Sequence, residues 1–277
     1  MRHLSHRVLL LVLFLCAADA QAEVVTFRSE AQPANLTATI GGVLAFPNGS
    51  GPFPVVILLH PCGGLDPIGL ATLRAHAKEL ANVGFATYIL DSYGPRNLSK
   101  GKACESFPTG SLRRGDAFNA MAALQRHPKI SKENIFLLGL SDGANAALLS
   151  AKGGSIGQFR AIAAYYPDCE RLLAGVGYVY KSPTIVFVGG RDDWTPPAEC
   201  IKSKSPGVVT GAEFEVISYP NAHHGFDQEH TTRKYKGHTL AYSREATVDS
   251  RKRIKEFFIK HLTAELKTAP PFSGRSK

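Results

Sequence analysis

Gly139-Leu140-Ser141-Asp142-Gly143 sets a serine between two glycines, directly after the apolar run 134–140 and directly before the small residues Ala144, Ala146 and Ala147. A strand, a tight turn and a helix in that order can lift a serine hydroxyl clear of a sheet as a nucleophile, because such a turn leaves little room for flanking side chains. The same five residues could also be a plain strand-to-helix turn with Ser141 or Asp142 as the helix cap. A serine nucleophile needs a base. Tyr219-Pro220-Asn221-Ala222-His223-His224-Gly225-Phe226 supplies His224, with His223 as the alternative, in a loop past the run 213–219. An orienting acid belongs between the two, and Gly189-Gly190-Arg191-Asp192-Asp193-Trp194-Thr195-Pro196 offers Asp192, with Asp193 as the alternative. The paired histidines could instead bind a metal, but no carboxylate or cysteine stands at metal-ligand spacing to them. In the serine reading, His224 removes the Ser141 proton as the hydroxyl attacks an acyl carbon, and Asp192 holds the imidazole in the required tautomer. An acyl-enzyme forms and water releases it, with no metal or organic cofactor.

The tetrahedral intermediate of that reaction carries a negative oxygen that fixed donors must meet, each worth roughly 2.7–4 kcal/mol in the transition state. The Asp142 amide is one expected donor. His60-Pro61-Cys62-Gly63-Gly64 follows the apolar run 54–60 and offers the other. Pro61 has no amide hydrogen, so the donor expected there is Cys62. A glycine turn with no catalytic part is the alternative for this loop.

These residues require elements that converge. Runs rich in valine and isoleucine recur at 54–60, 85–91, 134–140, 159–165, 183–189 and 213–219 and read as buried strands. Leu70, Leu73, Ala77 and Leu80, and later Ile254, Phe257, Phe258 and Leu262, follow the spacing of a helix with one apolar face. Strand and helix in alternation predict a mainly parallel sheet covered on both faces, with 24–30 and 35–46 as an antiparallel edge. The fold class is therefore α/β, doubly wound, in one domain over residues 23–266. Ser141, Asp192 and His224 each follow a strand, where ligands gather in such sheets. Residues 92–109 form a long connection without periodicity, and with 228–242 they are expected to shape the pocket. The tail 267–277, with Pro270, Pro271 and Gly274, reads as disordered.

Arg2 and Arg7 precede an apolar run at 8–15, and Ala20-Gln21-Ala22 fits a cleavage site, which predicts a signal peptide over 1–22 and export to the periplasm or beyond. That run is too short to span a bilayer, which takes roughly 20 residues, and no integral membrane segment is expected in the mature chain. Cys16 follows a leucine, where a lipidation signal wants a small residue. The net charge of +9 is spread along the chain, and no basic, aromatic-interleaved stripe or zinc-finger spacing points to nucleic acid. Cys62, Cys104, Cys169 and Cys200 remain after cleavage, an even number suited to two disulfides in an oxidising compartment. Cys62–Cys104 and Cys169–Cys200 are the pairs expected, because each would join loops at the same edge of neighbouring strands. Free buried thiols are the alternative.

With these pieces assembled, the chain resembles the dienelactone hydrolase family over nearly all of its mature length, through HPCGGL at 60–65, DSYGPR at 91–96, the Arg113 to Asp116 spacing, GLSDG, GGRDDWTP and YPNAHHGF. The resemblance implies the α/β-hydrolase fold, hydrolysis of a small ester or lactone, and a triad whose acid and base match Asp192 and His224. It also puts Arg96 near where the family contacts a substrate carboxylate, although a structural ion pair is an equal or better reading. Two positions depart from the best-known members, Ser141 standing for a cysteine nucleophile and Pro61 where a glutamate is found. The departures shift the expectation from dienelactone itself to esters more generally. Arg113 is expected to pair with Asp116, one helical turn on. Thioesterase or peptidase chemistry would use the same residues, and a binding protein that kept the fold without turnover is the reading from another class. Oligomeric state is not legible.

Overall fold

The computed structural model describes residues 22–30, 34–98, 104, 109–155, 157–173 and 175–272. The expected leader lies outside them save for Ala22, which opens the first strand. The central sheet takes β1 (Ala22–Ser29), β2 (Ala38–Ala45), β3 (Phe53–Leu59), β4 (Ala86–Asp91), β5 (Ile130–Leu140), β6 (Ile162–Tyr165), β8 (Thr184–Gly189) and β10 (Phe214–Tyr219). Short strands β7 (Tyr178–Tyr180) and β9 (Val209–Gly211) pair with each other, and β11 (Arg233–Tyr235) and β12 (His238–Leu240) make a hairpin. The sheet order is β1-β2-β4-β3-β5-β6-β8-β10. β1 and β2, and β2 and β4, run antiparallel, and the remaining neighbours run parallel.

Alternation along β3 and β5 explains why helices cover both faces. Val55, Ile57, Leu59, Ile135 and Leu137 join one apolar cluster, and Val56, Leu58, Phe136, Leu138 and Leu140 join the other. The first face receives α2 (Thr109–Leu124) and α3 (Asp142–Ser150), through residues such as Met121, Leu124, Ala144 and Ala147. The second receives α1 (Pro67–Ala81) and α6 (Arg244–Lys260), through Leu73, Leu80, Ile254 and Phe258. A strand buried on both faces must be apolar at every position, which is why these runs are continuous and not alternating. Asp66 starts α1 by accepting the Gly69 amide at 2.6 Å, with Pro67 at the first helical position where a missing N–H costs nothing.

Short α-helices among the described residues include α4 (Cys169–Leu173), α5 (Ala198–Lys202) and α7 (Ala264–Thr268). The last corrects the expectation of a disordered tail up to residue 272. Phe272 is 2% exposed and its ring lies 5.5 Å from that of Phe85. Burial of the ring in an apolar seat offsets part of the chain entropy lost in ordering the segment, and the two prolines have less of it to lose. Both disulfides are formed as expected, Cys62 with Cys104 and Cys169 with Cys200. Among the described residues no helix is long and apolar enough to cross a membrane.

Candidate active site

The turn between β5 and α3 holds Ser141 at φ 54° and ψ −116°, a conformation that L residues rarely adopt outside constrained sites. Its flanking glycines are steric necessities. A Cβ on Gly139 would lie 2.1 Å from the Gly143 carbonyl oxygen, and one on Gly143 would lie 2.5 Å from that of Leu59. The ends of β5 and β3 and the first turn of α3 thus meet at van der Waals contact around one serine. The Ser141 amide donates to the Tyr165 carbonyl at 2.9 Å, and the Ser141 carbonyl accepts from Asn145 at 3.0 Å, which ties the turn to β6 and to its own helix.

His224 comes from the loop after β10 and Asp192 from the loop after β8. Ser141 Oγ is 3.0 Å from His224 Nε2, and His224 Nδ1 is 2.8 Å from Asp192 Oδ2. With Nδ1–H donated to Asp192, Nε2 is the nitrogen left to accept the serine proton. His224 and Asp192 are 3% and 5% exposed. Burial alone would raise the Asp192 carboxyl. The facing His224 and the amides of Thr195 and Trp194 outweigh it and hold the group below the usual carboxylate range. Those amides donate to Asp192 Oδ1 at 2.8 and 2.9 Å, and the Thr195 hydroxyl donates to Oδ2 at 2.9 Å. The alternatives Asp193 and His223 do not join this chain of bonds. Asp193 accepts from the Thr239 amide at 2.8 Å and the Thr239 hydroxyl at 2.9 Å, while its backbone carbonyl lies 2.7 Å from His238 Nδ1. It therefore anchors the β11–β12 hairpin.

Behind His224 lies a buried group that sequence reading missed. The Tyr166 ring centroid is 4.7 Å from that of His224, and its hydroxyl donates to Asp227 Oδ1 at 2.7 Å. Asp227 Oδ2 in turn is 2.6 Å from His76 Nε2 on α1. Asp227 follows His224 by three residues, so the histidine loop is pinned to the end of β6 and to α1 directly beside His224. The Asp after HHGF was the available signal.

The loop after β3 is held from within. His60 Nδ1 donates to the Pro61 carbonyl at 2.7 Å, and Gly64 donates to the same carbonyl at 3.0 Å. Burial, and then the Arg113 charge, push the His60 imidazole down to about 3, so the ring is neutral. Arg113 corrects one sequence expectation. Its partner is Asp142, at 2.8 Å, and it also donates to the His60 carbonyl at 2.5 Å while its guanidinium stands 5.0 Å from the Tyr93 ring centroid. One fully buried cation thereby joins the Asp142 side chain to the His60 carbonyl, two residues before Cys62. Arg96 takes the structural of its two expected readings. Its side chain is 1% exposed and grips Asp116 in a bidentate pair at 2.7 and 2.9 Å. It also donates to the carbonyls of Leu36 and Ser92. Arg96 is not among the residues that line the cleft, and Asp116 of α2 accepts from Arg96 and from the Ser29 hydroxyl of β1.

A cleft of about 520 Å³ opens over Ser141 and His224. Cys62, Leu65 and Ile68 form one wall, Tyr93 and Cys104 a second, and Trp194 with Tyr235 and Leu240 of the hairpin a third. The Trp194 ring stands 5.0 Å from His224 and stacks on His238 at 5.1 Å. Among the described residues no group of three or more His, Cys, Asp and Glu is arranged to hold a metal ion.

The model of the dienelactone hydrolase family matches residues 40–262, from β2 to the end of α6. The chain belongs to the dienelactone hydrolase family. A candidate carboxymethylenebutenolidase of Synechocystis is 23% identical over 241 residues, covering 81% of this chain and 93% of that one. A solved dienelactone hydrolase of Anabaena variabilis superposes with a TM-score of 0.61 at 20% identity, covering 88% and 99% of the two chains. A dienelactone-hydrolase-like promiscuous phosphotriesterase from metagenomic libraries gives 0.60 at 17%, covering 87% and 98%. Mouse peroxisomal succinyl-coenzyme A thioesterase is 35% identical over 113 residues, which is 40% of this chain and 24% of that one. The fold is that of the α/β-hydrolases, as the motifs implied, and hydrolysis is the chemistry of the family.

Proposed function

We propose that this chain is an exported serine hydrolase that cleaves a small carboxylic ester or lactone through an acyl-Ser141 intermediate. The observation that carries the reading is the unbroken relay of short contacts from Ser141 Oγ through His224 to Asp192, opening onto a largely apolar cleft. His224 acts as general base toward Ser141 and then returns the proton to the leaving alkoxide. Asp192, kept ionised by Thr195 and Trp194, holds the imidazole tautomer and stabilises the imidazolium. The Asp142 amide, in the first turn of α3 where helix N–H groups lack intrahelical partners, and the Cys62 amide receive the oxyanion. Export is supported by the leader pattern and by two disulfides, which persist in oxidising compartments.

A second reading, thioester cleavage, is favoured by the local similarity to the mouse thioesterase. Both readings share the acyl-serine. The test is hydrolysis of p-nitrophenyl acetate and butyrate, and of the matching acyl-coenzyme A thioesters, by the wild type, Ser141→Ala and His224→Ala. Ester turnover that falls by about 10⁴-fold or more in both folded variants supports the proposal. Thioester turnover exceeding ester turnover selects the second reading, and variants as active as the wild type would falsify both.

A further inference from the structure

The Cys62–Cys104 disulfide joins two walls of the cleft directly beside Ser141. We infer that it is a positioning element of the oxyanion hole, so that turnover depends on its oxidised state. The inference rests on the serine-hydrolase reading above.

The geometry is specific to this pair. Upstream of Cys62, the His60 and Pro61 carbonyls are held by Arg113, by the His60 ring and by Gly64. Downstream, Asp66 caps α1. Cys62 sits between these anchors, at the residue whose amide must face the substrate oxygen, and its sulfur ties that point to Cys104 in the connection between β4 and α2. The Cα atoms are 5.1 Å apart across 42 residues of chain. Loosening matters here, because misplacing a reacting or stabilising group by about 1 Å can cost on the order of 10²-fold in rate. Access also separates the two disulfides. Cys62 and Cys104 are partly exposed in the cleft, whereas Cys169 and Cys200 are both 0% exposed between α4 and α5. A small dithiol that enters the substrate cleft reaches the first and not the second. One of its thiolates attacks a sulfur, the S–S bond breaks to a mixed disulfide, and its second thiol closes a ring and releases Cys62 and Cys104 as thiols. Two electrons and two protons come from the dithiol.

The experiment uses purified protein before and after dithiothreitol, with alkylation and peptide mass to count the thiols freed. Rates on p-nitrophenyl acetate are compared with affinity for a trifluoromethyl ketone, which forms a covalent oxyanion adduct on serine. The expected result is two thiols, at Cys62 and Cys104, kcat down at least tenfold, KM within twofold, and ketone affinity down by the same factor as kcat, all restored on reoxidation. Cys104→Ser should reproduce the loss, and it decides the matter if the native bond resists the reagent. Reduced protein with unchanged kcat and ketone affinity overturns the inference. So does a loss that accompanies unfolding in the thermal melt, since the bond would then merely hold the fold. Oxidised protein that neither turns over nor takes a fluorophosphonate at Ser141 overturns the serine reading itself; labelled, active protein indifferent to the bond overturns only the inference.

Discussion

At the scale of single residues, two titrating groups carry opposite demands. In the proposed mechanism Asp192 stays charged; its carboxyl is held below the ordinary range, so its contribution to stability is present above the unfolded value near 3.9 and is lost as pH falls through the lower folded value. Asp192→Asn removes that contribution; in urea unfolding between pH 5 and 2, the variant should lose less stability on acidification than the wild type. The same substitution should lower kcat by about 10³-fold or more, because an amide no longer selects the tautomer with Nε2 free. His60 is the reverse case, a histidine kept neutral by burial with its titration pushed to about 3. Between about 6.5 and 3 the unfolded chain takes up a proton that the folded chain refuses. Stability should therefore fall as pH drops below about 6.5, by up to about 1.4 kcal/mol per pH unit from this residue. His60→Gln should flatten that slope, measured as the difference in unfolding free energy between pH 7 and pH 5.

At the scale of elements, the site is an agreement between loop ends. Arg113 on α2 donates to Asp142 of α3 and to the loop after β3. Replacing it by methionine leaves the buried His60 carbonyl without its donor and the half-buried Asp142 carboxylate with the Tyr93 hydroxyl in place of a charge, and should cost about 1–3 kcal/mol in chemical unfolding. The hairpin is a separate matter. Asp193 ties β12 to the loop that carries Asp192, through Thr239, on the solvent side of the cleft. Asp193→Ala should raise KM several-fold on bulky esters and leave kcat on acetate within twofold, by steady-state kinetics. An equal fall in kcat on every substrate would show that Asp193 serves the chemistry instead. Much of this level was legible. The apolar runs and the glycines around Ser141 are local signals, and strands and turns form where they predict. The partners of Arg96 and Arg113 were not, because spacing along a helix measures only proximity. A buried cation takes the carboxylate that the packing of distant elements presents to it.

At the scale of the whole molecule, the chain after α7 closes the core. Pro271 lies against Gly84, where a Cβ would stand 2.4 Å from the proline ring, and Phe272 packs on Phe85. Phe272→Ala should destabilise the protein by about 3 kcal/mol, read as a fall in unfolding midpoint, with kcat on acetate unchanged because the site lies at the other end of the strands. Composition alone made this segment look disordered, since two prolines and polar neighbours hide one ring that only a folded surface can seat. The sequence by itself determined the parallel sheet, the serine turn and the candidate acid and base, since hydrophobic period and steric demand act over a few residues. The tertiary structure decided which of two adjacent aspartates faces His224, which carboxylate each arginine takes, and that Asp227 braces the histidine loop. Those choices depend on desolvation and on distances between elements far apart in the chain, so a local pattern such as the Asp after HHGF can name a candidate and not its partner.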